Sequence, residues 1–284
     1  MTSSVNTNLS ALIALRSLRS TQQALAVVEK RISTGYKVAD AFDNGAIFAV
    51  AQRIRNDIAG ISAVNSQLEG SLGLVAVSAA SLTQASNLMT QVRDILTRLA
   101  DQSISSDTRA QLSTQFVNLL ATIGNNLGTA VYQGTNLVGT SGSVGVIQDV
   151  LGNQLVLQGQ SSTIGTVISN LSAGQATSLT SAGTFLLQTF LTELNLVATS
   201  LNVVGSLNQR INNQINFNVS IKDAMTTGLS SLVDTDLAAD SALLQSLKIK
   251  LQLGVQALAI ANQSQQLLLT LFQPIHRFGA GRFR

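Results

Sequence analysis

Three closely spaced aspartates, Asp234, Asp236 and Asp240, are the residues of this sequence that come nearest to a metal-binding pattern. An Asp-x-Asp step is typical of the start of a calcium loop. The Leu-Ala-Ala that follows Asp236, however, supplies neither further oxygen ligands nor the glycine that such a loop needs. Aspartates just before a helix also accept its free backbone N–H groups and lie favourably at the positive end of its dipole. We therefore interpret them as helix caps and predict no metal and no cofactor.

The remaining candidates for chemistry are weaker still. The single histidine, His276, lies near the C-terminal end beside Arg277, where a solvated side chain is expected rather than a ligand or a base. Gly139, Gly142 and Gly145 recur every three residues, which does not match a phosphate-binding glycine motif and indicates a flexible turn. The chain has no cysteine, which excludes disulfides and thiolate metal sites. We predict that the protein is not an enzyme.

Composition favours a protein that packs against other protein. Of the 284 residues, 45% are hydrophobic and only 11% are charged, against roughly 25% in ordinary globular proteins. A net charge of +3, with no basic stripe interleaved with aromatic residues, argues against a nucleic-acid partner. The N-terminus lacks the basic region of a secretory signal peptide, and no run of 18 apolar residues exists, so we predict no membrane partner.

Apolar residues near both ends of the chain recur at steps of three, four and seven, which is the spacing of one face of a helix. Each stripe needs a partner, and the nearest candidate for each is the other. We therefore expect the two ends to pack side by side and antiparallel. The residues predicted for this packing are Leu12, Leu15, Leu18, Leu25, Ile32, Leu244, Leu247, Leu251, Val255 and Leu258.

A break in the helical pattern follows the N-terminal stripe. Gly35 suits a helix C-cap, because glycine enters the left-handed backbone region without a steric clash. Asp40, Asp43 and Asn44 are residue types that cap the start of a new helix. The segment 31–55 is therefore predicted as a helix, a tight loop and a second helix, with these four residues forming the joint.

A second seam lies before the C-terminal stripe. Its apolar residues keep alternating three and four spacing for about four heptads, with Asn208 as one polar core position, which is typical of a coiled coil. The predicted core residues are Leu187, Phe190, Leu194, Val197, Leu201, Val204, Ile211 and Ile215. Between the two ends, residues 134–183 are rich in Gly, Ser, Thr and Val. There we predict a hairpin with strands at 146–151 and 155–157 and a turn at Gly152-Asn153, followed by a loop at 170–184.

These patterns together predict a mainly α protein. Its architecture would be an elongated antiparallel coiled-coil or helical bundle formed by the N- and C-terminal helices, with a small β-hairpin region in the middle.

Several separate motifs, in order along the chain, carry a resemblance to bacterial flagellin. The N-terminal half contains "RISTG" at 31–35, "QVRD" at 91–94 and "YQGTNLV" at 132–138. The C-terminal half contains "VGSLNQRI" at 204–211, "DTDLAADSALL" at 234–244 and "ALAIANQSQQLLLTLF" at 257–272. The chain resembles this family over residues 1–137 and 185–272.

The resemblance implies a structural subunit that is secreted and polymerises into the extracellular helical filament of the bacterial flagellum, for motility. It implies export by a flagellar chaperone and the type III export apparatus, and contact with hook-associated junction and cap proteins. It also implies that the terminal stripes serve assembly. The implied segments are an inner helix at 1–40, a rod at 41–137 and 185–235, an insert at 138–184 and a second inner helix at 236–272. The residues at 273–284 extend beyond the usual family ending, and their arginines predict a basic tail.

Two alternatives remain open from the sequence. The hook–filament junction protein of the same family has a similar length, but it usually carries Asp-Asp-Pro where this chain has Asp43-Asn44-Gly45. A monomeric helical surface or adhesin protein, also secreted, would share the apolar stripes without forming a polymer.

Overall fold

The computed structural model describes residues 8–139, 142–176 and 189–271. Within them, six helices and one two-stranded sheet account for most of the chain. The helices are α1 (Leu9–Thr34), α2 (Ala41–Leu99), α3 (Ser106–Gly128), α4 (Ser161–Ala176), α5 (Leu191–Val233) and α6 (Leu237–Leu271), and the strands are β1 (Val144–Ile147) and β2 (Gln154–Leu157). The mainly α class with a small hairpin is confirmed. The predicted core residue Leu187, His276 and the tail at 273–284 lie outside the described residues.

The described chain forms two compact units. One contains the residues up to Ile54 and those from Thr227 onwards, and the other comprises Arg55–Thr226. The first unit is built on α1 and α6, and it contains the joint described below. The six-segment division inferred from the sequence stays a prediction.

The second unit is held together by one hydrophobic core, to which α2, α3, α4, α5 and β2 all contribute. Its largest fully buried side chains come from several elements, because each element turns one apolar face inwards. They are Leu68, Leu82, Met89 and Leu99 of α2, Phe116 and Ile123 of α3, Leu137 between α3 and β1, Leu157 of β2, Ile164 and Leu171 of α4, Phe190 just before α5 and Ile211 within it.

The apolar seam predicted before the C-terminal stripe lies on α5 and on Phe190, which directly precedes it. The buried polar residues of this seam differ from the predicted one. Phe190, Val197, Val204 and Ile211 are buried, and Leu194, Leu201 and Ile215 pack against the same core. The predicted polar core position, Asn208, is wrong. Leu207 takes that place, and the buried polar residues of α5 are Glu193, Ser200 and Asn218. Periodicity alone cannot distinguish Leu207 from Asn208. A step of three from Val204 reaches Leu207 and a step of four reaches Asn208, and both lead on to Ile211.

The central segment also departs from the prediction. Strand β1 begins and ends earlier than expected, and it pairs with β2 from Val144 opposite Leu157 to Ile147 opposite Gln154. The connection starts early because Asp149 Oδ1 accepts hydrogen bonds from the backbone of Leu151 (2.9 Å) and Asn153 (3.1 Å), which replaces strand pairing by a turn. The beginning of the predicted loop is helical, since α4 extends to Ala176 and buries Ile164, Val167 and Leu171 at helical spacing.

Among the described helices, α2 alone is long and apolar enough to cross a membrane by composition. One 18-residue window has a mean hydropathy of 1.2, and 39% of that window is buried. A helix in the core of a protein meets the same test, and Leu68, Leu82 and Met89 of α2 are fully buried here.

A hydrogen-bonded cluster links α2, α5 and the hairpin. It contains three side-chain amides and one backbone oxygen. Asn218 Nδ2 donates to Asn65 Oδ1 (2.9 Å) and to the backbone oxygen of Gln148 (3.1 Å). Gln214 Nε2 donates to Asn218 Oδ1 (3.0 Å) and also to the Gln148 oxygen (3.3 Å). Asn65 and Asn218 are both buried, and the Asn65 oxygen depends on Asn218 for its hydrogen bond. The cluster is satisfied at one alignment of α2 against α5.

We expect Asn218→Leu to lower the free energy of unfolding by about 1–3 kcal/mol, because it removes the donor to a buried acceptor on Asn65. The double variant Asn65→Leu/Asn218→Leu should cost less than the sum of the two single changes. The matched control is Asn212→Leu, whose amide lies exposed on the same helix and bonds only to Asn208. Urea unfolding followed by circular dichroism measures the parent, both single variants, the double variant and the control, and equal costs for Asn212→Leu and Asn218→Leu would contradict the prediction.

Candidate functional site: the terminal helix pair and its joint

Helices α1 and α6 form an antiparallel pair with a heptad seam. At one end of the pair, Asn8 Nδ2 donates to the backbone oxygen of Ala261 (2.8 Å), and at the other end Tyr36 lies opposite Asp234 in an antiparallel bridge. Buried and half-buried residues recur at alternating steps of three and four on both helices, as in a coiled coil. They are Ala11, Ala14, Leu18, Thr21, Leu25, Val28 and Ile32 on α1, and Asp240, Leu244, Leu247, Leu251, Gly254, Leu258 and Ala261 on α6.

The predicted packing residues lie in this pair with two corrections. Leu12 and Val255 are each 54% exposed, and Ala11 and Gly254 take the seam positions predicted for them. Gly254 allows the two helices to approach closely, since a Cβ atom there would lie 3.0 Å from Leu18 Cδ1. The other eight predicted residues are buried or half-buried, and their role in assembly stays a prediction: Leu15, Leu18, Leu25, Ile32, Leu244, Leu247, Leu251 and Leu258.

The pair leaves many large apolar side chains in solvent. A helix that is apolar on more than one face cannot cover all of that surface with a single partner helix. The exposed residues are Leu9, Leu12, Ile13 and Val27 on α1 and Leu237, Leu243, Ile249, Leu253, Val255 and Ile260 on α6.

At the joint, the two connecting segments pair through their backbones. Lys37 N–H donates to the Val233 oxygen (2.8 Å), and Thr235 N–H donates to the Gly35 oxygen (3.0 Å). Val38 and Val233 are buried behind these hydrogen bonds. Sequence analysis identified Gly35 here but missed its partners. The alternation of Tyr36, Lys37 and Val38 is a strand-like signal, but it is too short to be recognised without the segment that it meets.

The helix ends at the joint are capped by side chains. Gly35 ends α1 with φ of 74°, and its N–H donates to the Arg31 oxygen (2.8 Å). Asp40 Oδ1 accepts from the backbone N–H groups of Phe42 (2.9 Å) and Asp43 (3.1 Å) and starts the first turn of α2. Asn44 then interrupts the helix with φ of −163°, and its Oδ1 accepts from Ile47 N–H (3.1 Å). Helix α2 therefore consists of a first turn capped by Asp40 and a longer helix capped by Asn44.

Asp43 caps the start of α2 from its first turn, because its Oδ2 accepts from the backbone N–H groups of Ala39 (2.9 Å) and Asp40 (3.3 Å). Its carboxylate also faces Lys30. Lys30 Nζ lies 2.7 Å from Asp40 Oδ2 and 2.8 Å from Asp43 Oδ1, so one ammonium from α1 bridges two carboxylates at the start of α2. The hydrogen bonds from Lys30 hold the pKa of both Asp40 and Asp43 below their ordinary value. The hydrogen bonds to Asp40 and Asp43 in turn raise the pKa of Lys30. Lys30 was not identified from the sequence.

Asp236 and Asp240 make hydrogen bonds at the start of α6. Asp236 Oδ1 accepts from Ala238 N–H (3.0 Å) and Ala239 N–H (3.1 Å), which is the capping role predicted for it. Asp240 is buried in the first turn, and its Oδ2 accepts from the Thr235 hydroxyl (2.6 Å). Within the described part of the chain, no group of three or more His, Cys, Asp or Glu residues could hold a metal ion.

We expect Lys30→Met to lower the unfolding temperature at pH 7 and to matter less as the solution is acidified. Because the folded-state pKa values of Asp40 and Asp43 lie below the ordinary value of 3.8, their contribution is complete above that value. It is lost as the pH falls through the lowered pKa values, so the difference between parent and variant should shrink below about pH 4. Thermal unfolding by circular dichroism between pH 7 and pH 2 measures this.

The control for this variant is Arg98→Met. Arg98 pairs with Asp94 at 3.2 Å on the surface of α2, and both side chains are mostly exposed, so its loss should have little effect at any pH. Parallel pH profiles for the parent and Lys30→Met would contradict the prediction.

Comparison with known proteins identifies the family. Residues 5–142 match the family described as the bacterial flagellin N-terminal helical region, and residues 186–272 match the bacterial flagellin C-terminal helical region. Flagellin FljM of Caulobacter vibrioides is 31% identical over 271 residues, which cover 95% of this chain and 98% of that protein. A flagellin of Brucella melitensis is 32% identical over 284 residues, covering 95% of this chain and 99% of that protein.

Among solved structures, Bacillus cereus flagellin matches 63% of this chain and 94% of its own, at 19% identity and a TM-score of 0.36. That similarity is too low to support an inference, so the assignment rests on the sequence matches. Their extent confirms the resemblance inferred from the motifs. The chain belongs to the bacterial flagellin family and is a structural subunit of the flagellar filament.

Proposed function

We propose that this subunit polymerises through the apolar surface that the α1–α6 pair leaves exposed. The observation that carries the proposal is the set of large apolar residues in solvent on both helices, among them Leu253, which is 57% exposed. Burial of such side chains against a neighbouring copy contributes roughly 1.5–3 kcal/mol each. Different apolar faces on the two helices favour head-to-tail contacts, which propagate into a helical polymer instead of closing into a dimer.

The proposal extends to the organisation of the subunit. Residues 1–40 and 236–272 would form the inner helices of the filament, residues 41–137 and 185–235 the rod, and residues 138–184 an insert that faces outwards. The joint around Gly35, Asp40, Asp43 and Asn44 would connect the inner helices to the rod. The family match over both terminal regions supports this order of segments.

Secretion and external partners are also proposed on the basis of the family. The chain would be exported by a flagellar chaperone and the type III export apparatus, and it would meet hook-associated junction and cap proteins at the filament ends. A filament subunit is favoured over the junction protein, because the flagellins of Caulobacter vibrioides and Brucella melitensis match along nearly their whole length. Its role is structural, and no catalysis is proposed.

We expect Leu253→Asp to prevent polymerisation while leaving the monomer folded. Leu253 is exposed in the single chain, so the carboxylate is hydrated there, whereas in a polymer contact it would lose water without gaining a partner. The control is Val156→Asp on the hairpin, where the parent residue is 50% exposed. Sedimentation and electron microscopy measure polymer, and circular dichroism measures helicity. A parent chain that yields no filaments would overturn the proposal, and so would filaments of Leu253→Asp formed at the parent's concentration.

A further inference from the structure

Phe42 is an aromatic side chain left almost entirely in solvent. It is 99% exposed in the first turn of α2, whereas Phe116 and Phe190 are fully buried. An aromatic ring has a large apolar surface, and burying it is among the most favourable contacts that a side chain can make. Its position beside the joint places this surface on the unit that contains the terminal helix pair.

The backbone beneath Phe42 is held in place. Its N–H donates to Asp40 Oδ1 at 2.9 Å, and Lys30 bridges Asp40 and Asp43 on either side of it. The backbone position of Phe42 is therefore restricted by a hydrogen bond and two ion pairs that belong to the folded unit. An anchor fixed before binding loses less conformational freedom when it binds, which makes its contact more effective.

The exposed residues near Phe42 in the sequence are mostly small and apolar, namely Ala41, Ala46, Ala49 and Val50. The charged groups beside Phe42, on Lys30, Asp40 and Asp43, are already paired with one another. A surface of this kind accepts an apolar partner without desolvating many charges, and binding hot spots are typically one aromatic residue within such a setting.

We propose that Phe42 is an anchor that inserts into an apolar surface of a second copy of this chain. The inference rests on the proposed polymerisation, because a filament subunit is surrounded by identical neighbours. In a head-to-tail contact the surface that receives Phe42 differs from the surface that presents it. The exposed apolar residues of α1 and α6 belong to the same compact unit as Phe42, so a single unit presents both the proposed polymerisation surface and the exposed ring.

Thiol labelling tests the contact directly. The chain has no cysteine, so Phe42→Cys introduces a single thiol. The variant is polymerised as a minor fraction with the parent chain, which keeps the filament intact, and is treated with a maleimide. We expect labelling to be at least about tenfold slower in filaments than in monomers, as for a residue that becomes buried. The control is Leu151→Cys, whose parent residue is 86% exposed in the hairpin turn and which should be labelled equally in both states.

The critical concentration for polymerisation provides the second measurement. Phe42→Ser should raise the critical concentration roughly 10- to 100-fold. Phe42→Leu should stay close to the parent's critical concentration, and Leu151→Ser should change it little. Circular dichroism checks that each monomer keeps its helicity. If the parent forms no polymer, the proposed function and this inference both fail. If the parent forms filaments in which the thiol at position 42 stays fully reactive, or if Phe42→Ser polymerises like the parent, only the role of Phe42 is overturned.

Discussion

The pairing of the two chain ends is the contact on which the terminal unit depends. The hydrogen bond between Asn8 and Ala261 joins residues 253 positions apart, so the helix pair closes a loop that contains almost the whole chain. Closing such a loop costs conformational entropy that local helix formation does not repay. The seam between α1 and α6 repays part of it, and the backbone bonds between Lys37, Val233, Thr235 and Gly35 add a fixed end point. Gly254 contributes by allowing the two helices to approach each other.

Polar residues within the apolar seams specify how the helices align. In the second unit, the buried pair Asn65–Asn218 is satisfied at one register of α2 against α5, and the same cluster holds the hairpin at the Gln148 oxygen. Asn170 donates to the buried carboxylate of Glu193 at 2.6 Å and links α4 to α5 in the same way. Uniform apolar seams tolerate slippage, whereas a buried polar group left without its partner is costly.

The low content of charged residues explains how the chain can fold by itself and also pack against other copies. Few charges have to be desolvated when copies meet, and the large apolar residues on α1 and α6 remain available in the single chain. The ion cluster of Lys30, Asp40 and Asp43 is an exception, and it lies at the joint, where α1 has ended and α2 begins. Its charges position the start of α2, and with it the backbone of Phe42.

The sequence by itself determined the helical stripes, the capping residues Gly35 and Asp236, and the membership of a filament-forming family. These depend on short-range spacing and on local backbone chemistry, which a single segment contains in full. Tertiary structure decided the phase of each seam. Ala11 and Gly254 face the partner helix in place of Leu12 and Val255, because the approach distance of two helices selects among residues one position apart. It also decided that α4 is helical, that β1 ends before Asp149, and that Asn218 and not Asn208 is the buried amide of α5. The helical state of α4 and the burial of Asn218 depend on partners from distant parts of the chain, which no local pattern contains, whereas the end of β1 follows from local hydrogen bonds to Asp149.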